Sequence, residues 1–183
     1  AVWRIVLAIG ALCVAQIAVL SFIAVFLHDV AGVGLAATSA AMVVYQVGAA
    51  VLRVWGGAWT DRRANRPSFL RRCCLVTTAL FGTLAVLTTD AHVAETAWPL
   101  LLTLVAGGMA ASCWHGVAFT ELAVRAGTAH VGTALGMGNT LAFASYFLTP
   151  LIVPVALSAG GWPAAWGLVA ACALSAWPMF PRR

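Results

Sequence analysis

Arg53-Val-Trp-Gly-Gly-Ala-Trp-Thr-Asp-Arg-Arg-Ala-Asn-Arg66, followed by Pro67 and then Arg71-Arg72, takes the chain out of one long apolar run, through a short charged turn and into another. Six of the ten Arg and Lys residues lie between Arg53 and Arg72. Charge gathered at one connection, and not spread over a surface, is the pattern of a membrane protein that keeps its basic turns on one side of the bilayer.

Composition points the same way. The 183 residues are 63% hydrophobic and 8% charged, with mean hydropathy +0.99, too little polar side chain to cover a soluble domain of this size. The lipid bilayer is therefore the first expected partner. A net charge of +5 comes with no Lys-rich or aromatic-interleaved soluble face to hold phosphate, so it marks topology and argues against nucleic acid. Cys13, Cys73, Cys74, Cys113 and Cys172 sit in apolar runs without metal spacing, and adjacent Cys73-Cys74 make a poor disulfide. All five read as small buried hydrophobes. His28, His92 and His130 fall near the ends of apolar runs, which argues against a haem held between helices. No cofactor or metal is expected. The chain opens Ala-Val-Trp-Arg with no signal-peptide pattern, and it reads as a piece of something longer.

A bilayer core of about 30 Å needs about 20 apolar residues of helix. Six such runs emerge, at about 2–27, 36–60, 68–89, 98–121, 130–157 and 163–180. Pro99 stands at a helix-start position. Pro150 and Pro154 predict a kink or an early end to the fifth run, and Gly160-Gly161 a break before the sixth. With six crossings, Arg4, the turn at Arg62, Arg63, Arg66, Arg71 and Arg72, then Arg125 and Arg182-Arg183 share one face, while Asp29, Asp90 and Glu95 share the other. That segregation predicts a multi-pass inner-membrane protein with both termini cytoplasmic. Small residues at Gly132 and Gly136, and at Gly108, Ala111 and Ser112, let helices approach closely in lipid and predict one packed bundle.

Polar groups inside spans are costly and mark candidate function. Arg53 lies eight residues before Asp61, roughly 12 Å along a helix, and at mid-span an Arg costs about 2.5–3.5 kcal/mol. Met42, Gln46, Ala49, Arg53 and Gly57 recur at helical spacing. Either this stripe lines a hydrated path in which Arg53 attracts an anionic group, or Arg53 snorkels to the interface and anchors the span. Gln16, Gln46 and Asn139 each need a partner at depth, which is either a solute or a neighbouring helix. His115 either carries a coupled proton, since imidazole titrates near pH ~6.5, or packs as a neutral ring. Trp114 is either a cavity wall or a packing block.

Gly57-x-x-x-Asp61-Arg62-x-Ala64-x-Arg66 resembles the loop signature of the major facilitator superfamily, Gly-x-x-x-Asp-Arg/Lys-x-Gly-x-Arg/Lys-Arg/Lys, with Ala64 in place of the second Gly and Pro67 in place of the last basic residue. Such departures are usual in the weaker copy carried by the second half of family members. Trp114 to Glu121, Gly132 to Gly136, Asn139-Thr140, Thr149-Pro150 and Gly161-Trp162 are similar, in order, to the tenth to twelfth spans of many bacterial members. The resemblance covers nearly the whole chain. It implies an all-α C-terminal half of six spans, built as a 3+3 inverted repeat, with the N-terminal six-helix half as partner. It also implies a solute cavity at Gln16, Gln46, Arg53, Trp114, His115 and Asn139, with the third and sixth spans facing lipid. Gly57, Asp61, Arg62, Arg66 and Glu121 would then form a gating loop, with Glu121 ion-paired to Arg62 or Arg66.

The function so implied is secondary transport of a small solute by alternating access, possible coupling to protons included, without catalysis. The solute class is an organic anion or a drug-like molecule. Two other readings stand. One is a non-transporting anchor or receptor bundle. The other, more remote, is an intramembrane hydrolase, for which Ser112 and His115 share one helix and no nucleophile turn is present.

Overall fold

The structure, a computed structural model, describes residues 2–89 and 97–181. Helices account for nearly all of it: α1 (Val2–Asp29), α2 (Leu35–Arg63), α3 (Arg66–Leu87), α4 (Ala97–Cys113), α5 (His115–Ala126) and α6 (Val131–Ala176), then a short 3-10 turn at Trp177–Met179. α4 and α5 form a single apolar run, Ala97–Ala126, interrupted for one residue at Trp114, whose dihedrals stay in the helical region. Among the described residues the protein is thus an all-α bundle with five helices long and apolar enough to cross a membrane, the build of a multi-pass membrane protein.

This count corrects the expected six separate helices. The runs at 130–157 and 163–180 belong to one 46-residue element with no loop between them. Gly160 (φ −158°, ψ 22°) and Gly161 (φ 66°, ψ −162°) leave helical geometry inside it. The second of these lies in a region that essentially only glycine occupies. Pro150 and Pro154 do not end the helix; both sit inside it, and the backbone dihedrals leave helical values at Gly160 and Gly161 instead. Proline is tolerated inside membrane helices, and next to Pro150 the Thr149 hydroxyl is satisfied within the helix by donation to Ser145 O at 2.6 Å.

Contacts on either side of the glycine pair run in opposite directions along α1. Ser145 Oγ donates to Gly10 O at 2.9 Å. Phe26 then meets Trp162 and Trp166 edge-on, Thr78 Oγ1 reaches Ala170 O, and the Arg4 guanidinium bonds Pro178 O. The chain therefore reverses at Gly160–Gly161 and returns to the end from which α1 starts.

That end collects the arginines. Arg4 lies at Pro178 and Arg71 stacks 4.1 Å over Trp177, while Glu121 and Arg125 border the turn at Ala64, Asn65 and Pro67. Asp29 is at the opposite end, bonded to His28. Asp90, Glu95, Arg182 and Arg183 lie outside the described residues.

α1 is the most buried helix. Around it the apolar side chains form two clusters, one on Phe26, Tyr45, Phe81 and Trp166, the other on Leu12, Leu70, Trp114 and Phe180. In lipid such packing holds helices together by close fit, because hydrocarbon tails already satisfy apolar surface. Gly108 illustrates the fit: a Cβ there would stand 2.9 Å from Tyr45 ring carbons and 3.0 Å from Val19. Val43, Val47 and Val54 of α2 and Phe143, Phe147 and Leu151 of α6 point outward. The least covered faces thus belong to α2 and the first arm of α6, whereas the resemblance put the third and sixth runs against lipid.

Candidate functional site

α4 ends at Cys113, and α5 starts two residues later. The last carbonyls of a helix lack intrahelical partners and carry its negative end. Half-buried Arg53, reaching across from α2, donates Nε–H to Ser112 O in that last turn at 2.9 Å. The Ser112 hydroxyl lies 3.3 Å from the Tyr45 hydroxyl. Trp114, 0% exposed, turns its indole N–H back to Ala111 O and packs in the apolar cluster with Leu12, Leu70 and Phe180. The half-buried His115 ring is held between Trp114 and Phe119, with centroids 5.0 Å away on each side, and its enclosed Nδ1 has no partner.

The other expected cavity residues are not gathered there. Gln16 is buried at 8% exposure with Oε1 unpartnered. Gln46 and Asn139 lie on the outer surface of α2 and α6. Two apolar cavities lie along α4, one at its Ala97 end and one beside Cys113. One of about 530 Å³ sits near Val33, Ala41, Trp98 and Leu101, and one of about 500 Å³ lies between α2, α3 and α4. Neither is lined by Gln16, Gln46, Arg53, Trp114, His115 or Asn139.

The charged turn is well defined. Thr60 Oγ1 bonds Gly56 O and Gly57 O at 2.8 and 3.0 Å, and α2 closes at Ala64 with φ 49°, ψ 37°. Among the described residues Ala64 is the one non-glycine with positive φ. Left-handed backbone costs an L-residue about 1–2 kcal/mol, so the position that is Gly in the facilitator signature has here the conformation that favours Gly. Pro67 then opens α3 within its first turn, where its missing N–H is harmless.

Arg66 crosses this turn to grip Asp61, Nη2 at 2.6 Å and Nε at 3.2 Å from Oδ1. Arg62 is exposed, and Arg63 lies 5.1 Å over Trp59. The expected pairing of Glu121 with Arg62 or Arg66 is not found. Glu121, only 5% exposed, accepts from Arg125 Nε at 2.8 Å. The reason is local: residues four apart on α5 are already neighbours, and Arg66 has a carboxylate closer at hand. Glu121 still faces the turn across a cavity of about 440 Å³ bordered by Ala64, Asn65 and Pro67.

One pair escaped the sequence reading. Cys73 of α3 and Cys113 of α4 meet with sulfurs 3.6 Å apart, and no spacing rule links residues forty positions apart on two helices. No protein family, curated protein or solved structure matches the chain.

Proposed function

We propose that the chain is the C-terminal six-crossing bundle of a facilitator-type secondary transporter, in the inner membrane with both ends cytoplasmic, and that it moves a small anionic or amphipathic solute by alternating access. The observation that carries this reading is the Arg53 cation bonded to the open carbonyl end of a helix interrupted inside an apolar run. Interrupted helices with charge at their ends are how transporters offer polar groups at membrane depth. The two arms of α6 each cross, which gives six passages and keeps the described arginines other than Arg53 on one side. The left-handed Ala64 and the Arg66–Asp61 grip support the kinship of the charged turn with the facilitator gating loop. In that role Asp61 would meet a helix of the N-terminal bundle, and Gln16 and His115 would supply unpaired polar atoms to the solute side.

The test is counterflow in proteoliposomes of the full-length protein, run with a panel of organic anions and amphipathic drugs. Trans-loaded solute accelerating labelled entry, and loss of that acceleration in Arg53→Gln, is the expected result. Binding without counterflow across the panel would favour an anchor or receptor bundle.

A further inference from the structure

Cys73 and Cys113 are brought sulfur to sulfur at 3.6 Å across the α3–α4 contact. Neighbouring Cys74 lies about 100° further round the helix and is turned into the core with 0% exposure, so a single member of the pair faces α4. Cys113 is held in place by its donation to Ala110 O at 3.2 Å. Both sulfur-bearing residues line the cavity of about 500 Å³ shared with Trp55, Trp59, Phe69 and Arg72, which has room for a molecule of peroxide size.

We propose that Cys73 and Cys113 form a reversible disulfide that staples α3 to α4. A disulfide needs its sulfurs at about 2.05 Å, so they close by roughly 1.5 Å through side-chain rotation between helices already in contact. With hydrogen peroxide as oxidant the step balances. Two thiols give up two protons and two electrons as the S–S bond forms, the O–O bond breaks and two waters leave. A dithiol reverses it by exchange through a mixed disulfide. The staple fixes the residue after Ser112 and before Trp114, so it locks the helix interruption beside which Arg53 bonds.

The experiment treats the full-length protein in detergent with hydrogen peroxide, alkylates the remaining thiols and maps peptides without reduction. A Cys73–Cys113 cross-link is expected that disappears with dithiothreitol, persists in Cys74→Ala, and is lost in Cys73→Ser and Cys113→Ser. Peroxide should also raise the melting temperature of wild type and not that of Cys73→Ser. Because wild type and Cys74→Ala carry the mapping, a poorly folded serine variant leaves the result readable. Alkylation of both residues after peroxide, or a cross-link through Cys74 or between molecules as the main product, overturns the proposal.

Discussion

Arg53 and Ser112 are joined by a 2.9 Å bond from guanidinium to backbone carbonyl, across the contact of α2 with α4 and two residues before the break between α4 and α5 at Trp114. A hydrogen bond from a charged donor contributes about 1.5–3 kcal/mol, comparable to the roughly 2.5–3.5 kcal/mol that an Arg costs at the middle of a span. The near balance explains how a cation is kept at this depth without a carboxylate.

Replacing Arg53 should separate its structural role from its proposed transport role. Arg53→Ala removes the bond and the cost of the buried cation together, so it should change stability in detergent by no more than about 1 kcal/mol. Arg53→Lys, which keeps the charge without the planar Nε fork, should lose more stability than Arg53→Ala, and under the transport reading it should lose counterflow nearly as fully. Thermal melts beside counterflow rates give the comparison.

Ala64→Gly should stabilise the protein. Removing the left-handed cost of about 1–2 kcal/mol, offset in part by the greater freedom of glycine in the unfolded chain, leaves a gain of about 0.5–1 kcal/mol. Ala64→Val should be destabilising. Melting temperatures of the two variants should move to opposite sides of wild type.

The two ion pairs should differ in weight. Asp61 is exposed, so Arg66→Ala should cost no more than about 1 kcal/mol. Glu121 is buried, and Arg125→Ala, which leaves its carboxylate short of a donor, should cost about 1.5–3 kcal/mol. Adding Glu121→Gln should recover part of that loss, and a double-mutant cycle between Glu121 and Arg66 should return coupling near zero.

Gly161→Ala should cost about 1–3 kcal/mol, because φ 66° with ψ −162° strains any residue bearing a Cβ. Unfolding in denaturing detergent provides the readout, and a change within 0.5 kcal/mol, on the order of an ordinary surface substitution, would argue that the chain turns elsewhere.

The proposed topology of six passages would place Ser158 and Met179 on opposite sides of the bilayer. Single-cysteine proteins with Ser158→Cys or Met179→Cys, expressed in intact cells, should react with a membrane-impermeant maleimide at 158 and stay protected at 179 until the cells are opened. Labelling of both from outside would contradict the proposed topology.

What the sequence makes legible is what local chemistry decides. The arginine turn, the bounds of α1 to α3 and the reversal at Gly160–Gly161 all follow from charge, apolar run length and glycine. Glu121 pairs with Arg125 because that arginine, four residues along the same helix, outcompetes a more distant Arg66 that already holds Asp61. The helix runs on through Pro150 and Pro154 because proline costs less inside a membrane helix, and the glycine pair breaks it instead. The Cys73–Cys113 contact and the Arg53 grip on Ser112 depend on how three helices settle against one another, and no periodicity in a single helix encodes that.

The outward valines of α2 and phenylalanines of α6 carry a practical corollary. Under the half-transporter reading, this polypeptide purified alone should gather an oversized collar of amphiphile for its 19.0 kDa, and the amphiphile bound per mass of protein should fall once a companion bundle occupies those two flanks.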